Sequence, residues 1–355
     1  MEENLCADAD EEEEEEEDEN NEENGKTNDN NNNNNNEKTD NTSNIINTKE
    51  SSGSIISNIS QVPVNNNSNT DNNNNNNTVT NQNEPLSKND LIEALNNLSS
   101  EDPSEKLNTI ILIHEIVCGK FEQNKECLIS NVDKIISTFK NVSHQLFFVQ
   151  DLKTIPIKFA KYLAIVLCKL ASNKELISNL SYEVLLSLSR ELLGYLLING
   201  LDKIGENQEG NIIFKSINST MLRILENCDI TLVICALLEL IMEFQEKEDK
   251  NLISLAIKCL LKTTHNLSQN INNVKIDKIL LQIHLLLLSL QKNNPDIAKK
   301  TQTNTLIINT VKNIVGDFVK LKKEKILEDY SKSVKNHQLN DKFLLKWIKA
   351  ALGKM

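Results

Sequence analysis

Turn-forming and aromatic residues are scarce in this 355-residue chain: 9 glycines, 5 prolines and 4% aromatics. A sandwich or barrel of short strands needs a turn every 8 to 12 residues or so, and the sequence does not supply them. The seven cysteines, at 6, 118, 127, 168, 228, 235 and 259, form no CxxC pair. They read as small hydrophobes in a reducing compartment, which argues against a zinc site or a disulfide framework. No apolar run approaches the roughly 18 residues that cross a bilayer, since the longest charge-free one covers residues 279–291. The acidic first residues do not read as an export signal.

Signs of chemistry are equally thin. The five histidines, at 114, 144, 265, 284 and 337, make no HExxH motif. His284 lies within an apolar stripe and reads as a core residue. Gly200 and Gly205 have the spacing of two P-loop glycines, but Glu206 stands where a phosphate-binding lysine is needed. Glu239 and Glu243, one helical turn apart, run into further acids at 246, 248 and 249 and read as a solvated face rather than a shielded acid and base pair. The expectation is therefore a non-enzyme with no cofactor and no metal.

What the chain does contain divides it in two. Residues 1–85 hold 21 of the 51 acidic and 3 of the 38 basic side chains, with an acidic run at 11–19 and asparagine runs at 30–36 and 72–77. Such a segment has little to bury against an ordering cost of about 1 to 2 kcal/mol per residue, so it is expected to be a disordered tail. The remaining 30 acidic and 35 basic residues fall in 86–355, which is net basic.

From residue 86 onward apolar side chains recur at helical spacing. Leu185, Leu188, Leu192 and Leu196 mark one stripe; Ile276, Ile279, Leu280, Ile283, Leu287 and Leu290 mark another. The pattern predicts helices over 88–98, 103–118, 131–149, 155–171, 181–199, 208–227, 230–246, 250–265, 276–291, 303–322, 324–336 and 339–352, and no strand. Asp102-Pro103-Ser104-Glu105 is a start signal, with a capping oxygen, a proline at the first helical position and an acid in the first turn. Helices of this length joined by short polar segments form pairs that bury their apolar faces only by stacking, which predicts an all-α solenoid of about six helix pairs over 86–355.

Several stretches resemble a known family. Glu209-Gly-Asn-Ile-Ile-Phe-Lys-Ser-Ile-Asn-Ser-Thr-Met-Leu-Arg-Ile-Leu-Glu-Asn-Cys-Asp229, Ile257-Lys-Cys-Leu-Leu-Lys262, Ile271-Asn-Asn-Val-Lys-Ile-Asp-Lys-Ile-Leu-Leu-Gln-Ile-His284 and Lys320-Leu-Lys-Lys-Glu-Lys-Ile-Leu327 are similar, in order, to the C-terminal region of the TOG-array microtubule polymerases. The resemblance implies a HEAT-type TOG domain that meets tubulin, microtubules or a spindle-pole, centrosomal or kinetochore partner along an edge made of intra-repeat loops. It also implies a place on the cytoskeleton, at the centrosome or spindle pole. Mapped here, those loops are 119–130, 172–179, 227–230, 266–275 and 321–325, and Lys120, Phe121, Lys125, Lys174, Lys275, Lys322 and Lys323 are the expected partner-binding residues. Two features depart from the family pattern. The first loop has Phe121 where the tightest tubulin binders have tryptophan, Trp347 being the sole one, and no upstream TOG array is present, which sets tandem polymerase activity in doubt.

Residues 318–355 carry ten lysines against four acids. A solvated helix face, an acidic protein partner and nucleic acid would all suit that balance, although no nucleic-acid module accompanies it. The alternative to tubulin is a general helical scaffold that grips a partner's helix in its groove. The acidic tail is expected either to fold back over the basic domain, weakening acidic partners at low salt, or to be inert low-complexity sequence.

Overall fold

In a computed structural model, described residues run from 86 to 353, without 206–207, 266, 294–300 and 338–342. The tail and its expected fold-back lie outside them. The first helix, α1 (Lys88–Asn97), opens with a reciprocal cap in which Asp90 N–H donates to Ser87 Oγ and Ser87 N–H to Asp90 Oδ2. The signal at Asp102 works as expected: Ser104 N–H donates to Asp102 Oδ1 at 2.9 Å, and Pro103 starts α2 (Pro103–Gly119). There follow α3 (Phe121–Ser130), α4 (Val132–His144, running into a π turn at Gln145–Val149), α5 (Ile157–Ser172), the single turn α6 (Lys174–Ile177) and α7 (Tyr182–Tyr195). Next come α8 (Glu209–Asn227), α9 (Ile230–Glu246), α10 (Lys250–His265), the short α11 (Leu267–Asn270) and α12 (Ile276–Asn293). The chain closes with α13 (Gln302–Lys322), α14 (Ile326–His337) and α15 (Phe343–Leu352). No strand occurs among the described residues.

The longer helices alternate between two layers. In layer A, α2 packs on α5, α5 on α8, α8 on α10, α10 on α13 and α13 on α15. Layer B repeats this with α4 on α7, α7 on α9, α9 on α12 and α12 on α14. This is a helical solenoid, and its reason is visible in the side chains. Every member of the two stripes read from the sequence is buried, Leu192, Ile279, Leu280 and Ile283 completely. One cluster of buried residues runs from Leu91 to Ile348, so each helix buries its apolar face on its neighbours.

One expectation fails. The stretch 119–130, read as a loop, is largely the helix α3. It has no apolar stripe of its own and buries only Leu128 and Asn124. Its stability is tertiary: the Asn124 side chain accepts from Leu86 N–H at 2.6 Å and donates to Lys120 C=O at 2.8 Å, which ties the chain entering α1 to the turn before α3. Gly200 and Gly205 both hold left-handed backbone, at φ +84° and +75°, in the turn between α7 and α8. A Cβ on Gly210 would come within 2.6 Å of Leu201 C=O and 2.7 Å of the Ile204 backbone, so that turn and α8 touch backbone to backbone.

Candidate partner-binding edge

Because each A helix crosses the stack and each B helix returns, the five A-to-B junctions share one edge. They hold all seven residues expected to bind a partner. Hydrogen bonds knit neighbouring junctions together. At the first and second, α3 packs on α6 and the Lys125 ammonium pairs with the Glu175 carboxylate. From the second to the third, Asn227 Nδ2 donates to Ala171 C=O at 2.9 Å, and Cys228 Sγ lies 3.5 Å from Ile177 C=O. Asp229 caps α9 by accepting from Thr231 and Leu232 N–H, and Lys275 N–H reaches Thr231 Oγ1 at 3.1 Å, which links the third junction to the fourth. Four of the five junctions thus form one ridge. The fifth, the 3-10 turn Lys323–Lys325 between α13 and α14, completes the edge by topology.

Charge is unevenly spread along it. At the first two junctions Lys120, Lys125 and Lys174 are matched by Glu122, Glu126 and Glu175, and Lys125 is already engaged. Phe121 is half-buried and packs on the core. The later junctions are richer in cations. Lys275 and Lys278 are exposed, as are Lys323 and Lys325, with Lys322 half-buried and Lys320 paired to Asp317 at 3.0 Å. Lys323 takes φ +52°, an uncommon conformation for a side chain with a Cβ. Sequence reading placed these residues at the junctions but could not show that Lys125 is paired, because Glu175 lies 50 positions away.

The glutamates at 239 and 243 are more than a solvated face. Tyr182 Oη donates to Glu239 Oε2 at 2.5 Å, and Arg190 Nε donates to Glu243 Oε2 at 2.8 Å, both bonds running from α7 to α9. Burial tends to raise the Glu243 pKa, but its bonds to Arg190 and Lys247 outweigh that and hold the carboxyl below its usual range. The Tyr182 phenol is pushed well above its ordinary value by burial and by Glu239, so it stays a donor. On the same layer His144 Nδ1 sits 2.9 Å from Glu191 Oε2. No sequence signal could place these pairs, since each depends on the register of two helices.

His284 is buried, as its stripe implies. Cys235 and Cys259 are buried and Cys228 is half-buried, and burial pushes all three thiols up to about 12, which makes them poor nucleophiles. Cys118 departs from the expectation of burial: it is exposed, beside His114. Among the described residues no three His, Cys, Asp or Glu side chains are grouped to hold a metal, and no helix is long and apolar enough to cross a membrane.

The chain is similar to protein MOR1 of Arabidopsis thaliana. The two are 24% identical over 261 residues, which is 69% of this chain and 13% of MOR1. The chain thus spans a small fraction of that relative's length. No family model matches the chain.

Proposed function

We propose that this protein is a microtubule-associated, non-catalytic binding protein that meets tubulin, the microtubule lattice or a spindle-pole or centrosomal partner through the A-to-B edge. The distant similarity to MOR1 supports a microtubule-related role and agrees with the family that the sequence motifs resemble. The observation that carries the choice of surface is the run of exposed or half-buried cations Lys275, Lys322, Lys323 and Lys325 at the last two junctions of the A-to-B edge. Tubulin is strongly acidic, so binding should rest on charge and weaken with salt. Co-sedimentation of the full chain with microtubules tests this. The double change Lys322→Glu and Lys323→Glu should weaken binding about tenfold or more at low salt, in line with roughly 1 to 2 kcal/mol for reversing two charges against an acidic surface. Binding that is unchanged by this substitution and by salt would move the contact off this edge.

A further inference from the structure

The outer face of layer B changes character between α9 and α12. On α7 and α9 it is occupied by the Tyr182–Glu239 and Arg190–Glu243 bonds. On α12 it carries Leu281, Leu285 and Leu288, spaced i, i+4 and i+7. Leu281 is half-buried, while Leu285 and Leu288 are 37% and 44% exposed. Three leucines are a small target. A stable interface between separate molecules buries on the order of 1,000 Å² or more, well beyond this stripe. A ligand tethered to the same chain escapes that limit, because a short flexible tether holds it at millimolar effective concentration.

An apolar segment lies ahead of α1 in the same chain. Apolar side chains are sparse ahead of α1, yet Ile55, Ile56, Ile59, Val62 and Val64 stand together in a stretch of Ser and Asn, and residues 51–70 contain no charge. Ile55, Ile59 and Val62 repeat in sequence the i, i+4, i+7 spacing of Leu281, Leu285 and Leu288. Reach is sufficient. Leu86, which ends the tether, is held by Asn124 of α3 in the first repeat, and α12 lies three repeats further along the stack, at about 8 to 10 Å a step plus roughly 15 Å along α12. The 24 residues from Val62 to Leu86 extend at most about 80 Å, well beyond that distance. We infer that residues 55–62 are an intrachain ligand that docks on the α12 leucine stripe and covers the apolar part of the layer B face.

The inference stands apart from the microtubule reading. It is tested on the full chain with a photo-crosslinking amino acid in place of Leu288, and with the same group in place of the exposed Leu321 on α13 as a control site. The expected result is an intrachain adduct from position 288 to the peptide containing residues 55–62, with a yield that does not change on dilution. Changing Ile55, Ile59 and Val62 together to Asp should cut that yield about tenfold, because burying three carboxylates against leucine is strongly unfavourable. These substitutions lie outside the stack, so an unchanged thermal melt accompanies the loss. The inference is overturned if the adduct survives the triple change, if position 288 captures no more of this peptide than position 321, or if the adducts join two copies and rise with concentration.

Discussion

The two halves of the stack are built from the same kind of helix yet finish their surfaces differently. From α3 to α9, polar side chains reach across helix boundaries: Lys125 to Glu175, His144 to Glu191, Tyr182 to Glu239 and Arg190 to Glu243. From α12 onward the ion pairs among the described residues, Asp317–Lys320 and Asp329–Lys332, each stay within one helix, while leucines and lysines face outward. Cross-helix pairs fix register but use up charge. A half that leaves its charges and leucines uncommitted has surface to offer something else.

Four experiments would break or sharpen this contrast. The largest effect is expected in the core, which both halves share: Leu280→Ala in α12 and Leu192→Ala in α7 remove fully buried side chains and should each cost about 2 to 5 kcal/mol by urea denaturation. A loss well under 1 kcal/mol at Leu280 would mean that α12 does not pack as described. Gly210→Ala comes next, with about 1 to 3 kcal/mol expected from the clash with the Leu201 and Ile204 backbone; an unchanged melting temperature would show that the turn yields freely.

The third experiment titrates the cross-helix ties. The Glu243 carboxyl is held below its usual pKa when folded, so its contribution is present above the unfolded value and is lost as pH falls through the folded one. Glu243→Gln should therefore lower the melting temperature at neutral pH and make the remaining acid dependence shallower than in the parent. Identical slopes would show that the Arg190 bond does not stabilise the fold. The smallest effect is expected at Lys125→Ala, whose solvent-screened pair with Glu175 should leave the melting temperature almost unchanged. Reversing that lysine should also disturb microtubule binding far less than reversing Lys322 and Lys323. Equal losses would erase the distinction between the halves.

Much of the architecture was legible in the sequence, because burial of a periodic stripe decides helix position when each helix has neighbours on both sides. The segments read at 230–246 and 250–265 match α9 and α10 at both ends. Reading failed where helicity comes from elsewhere. The ten residues of α3 hold together through Asn124 and through packing on α6, neither of which leaves a repeat in the sequence. The stretch read as one helix over 131–149 changes to a π turn at Gln145–Val149, where Phe147 and Phe148 crowd Tyr195 at ring distances of 5.2 and 4.9 Å. The edge was legible as a set of junctions. Which of its lysines are already spoken for was not, because pairing partners sit dozens of residues away.

Lys323 offers a last consequence. A stack selected for robustness alone would place glycine at φ +52°, where a lysine's Cβ is crowded by about 1 kcal/mol. Swapping in glycine should make this corner of the protein hardier while removing one ammonium from its rim. The bend therefore combines a small internal strain with an exposed cation at the rim of the stack.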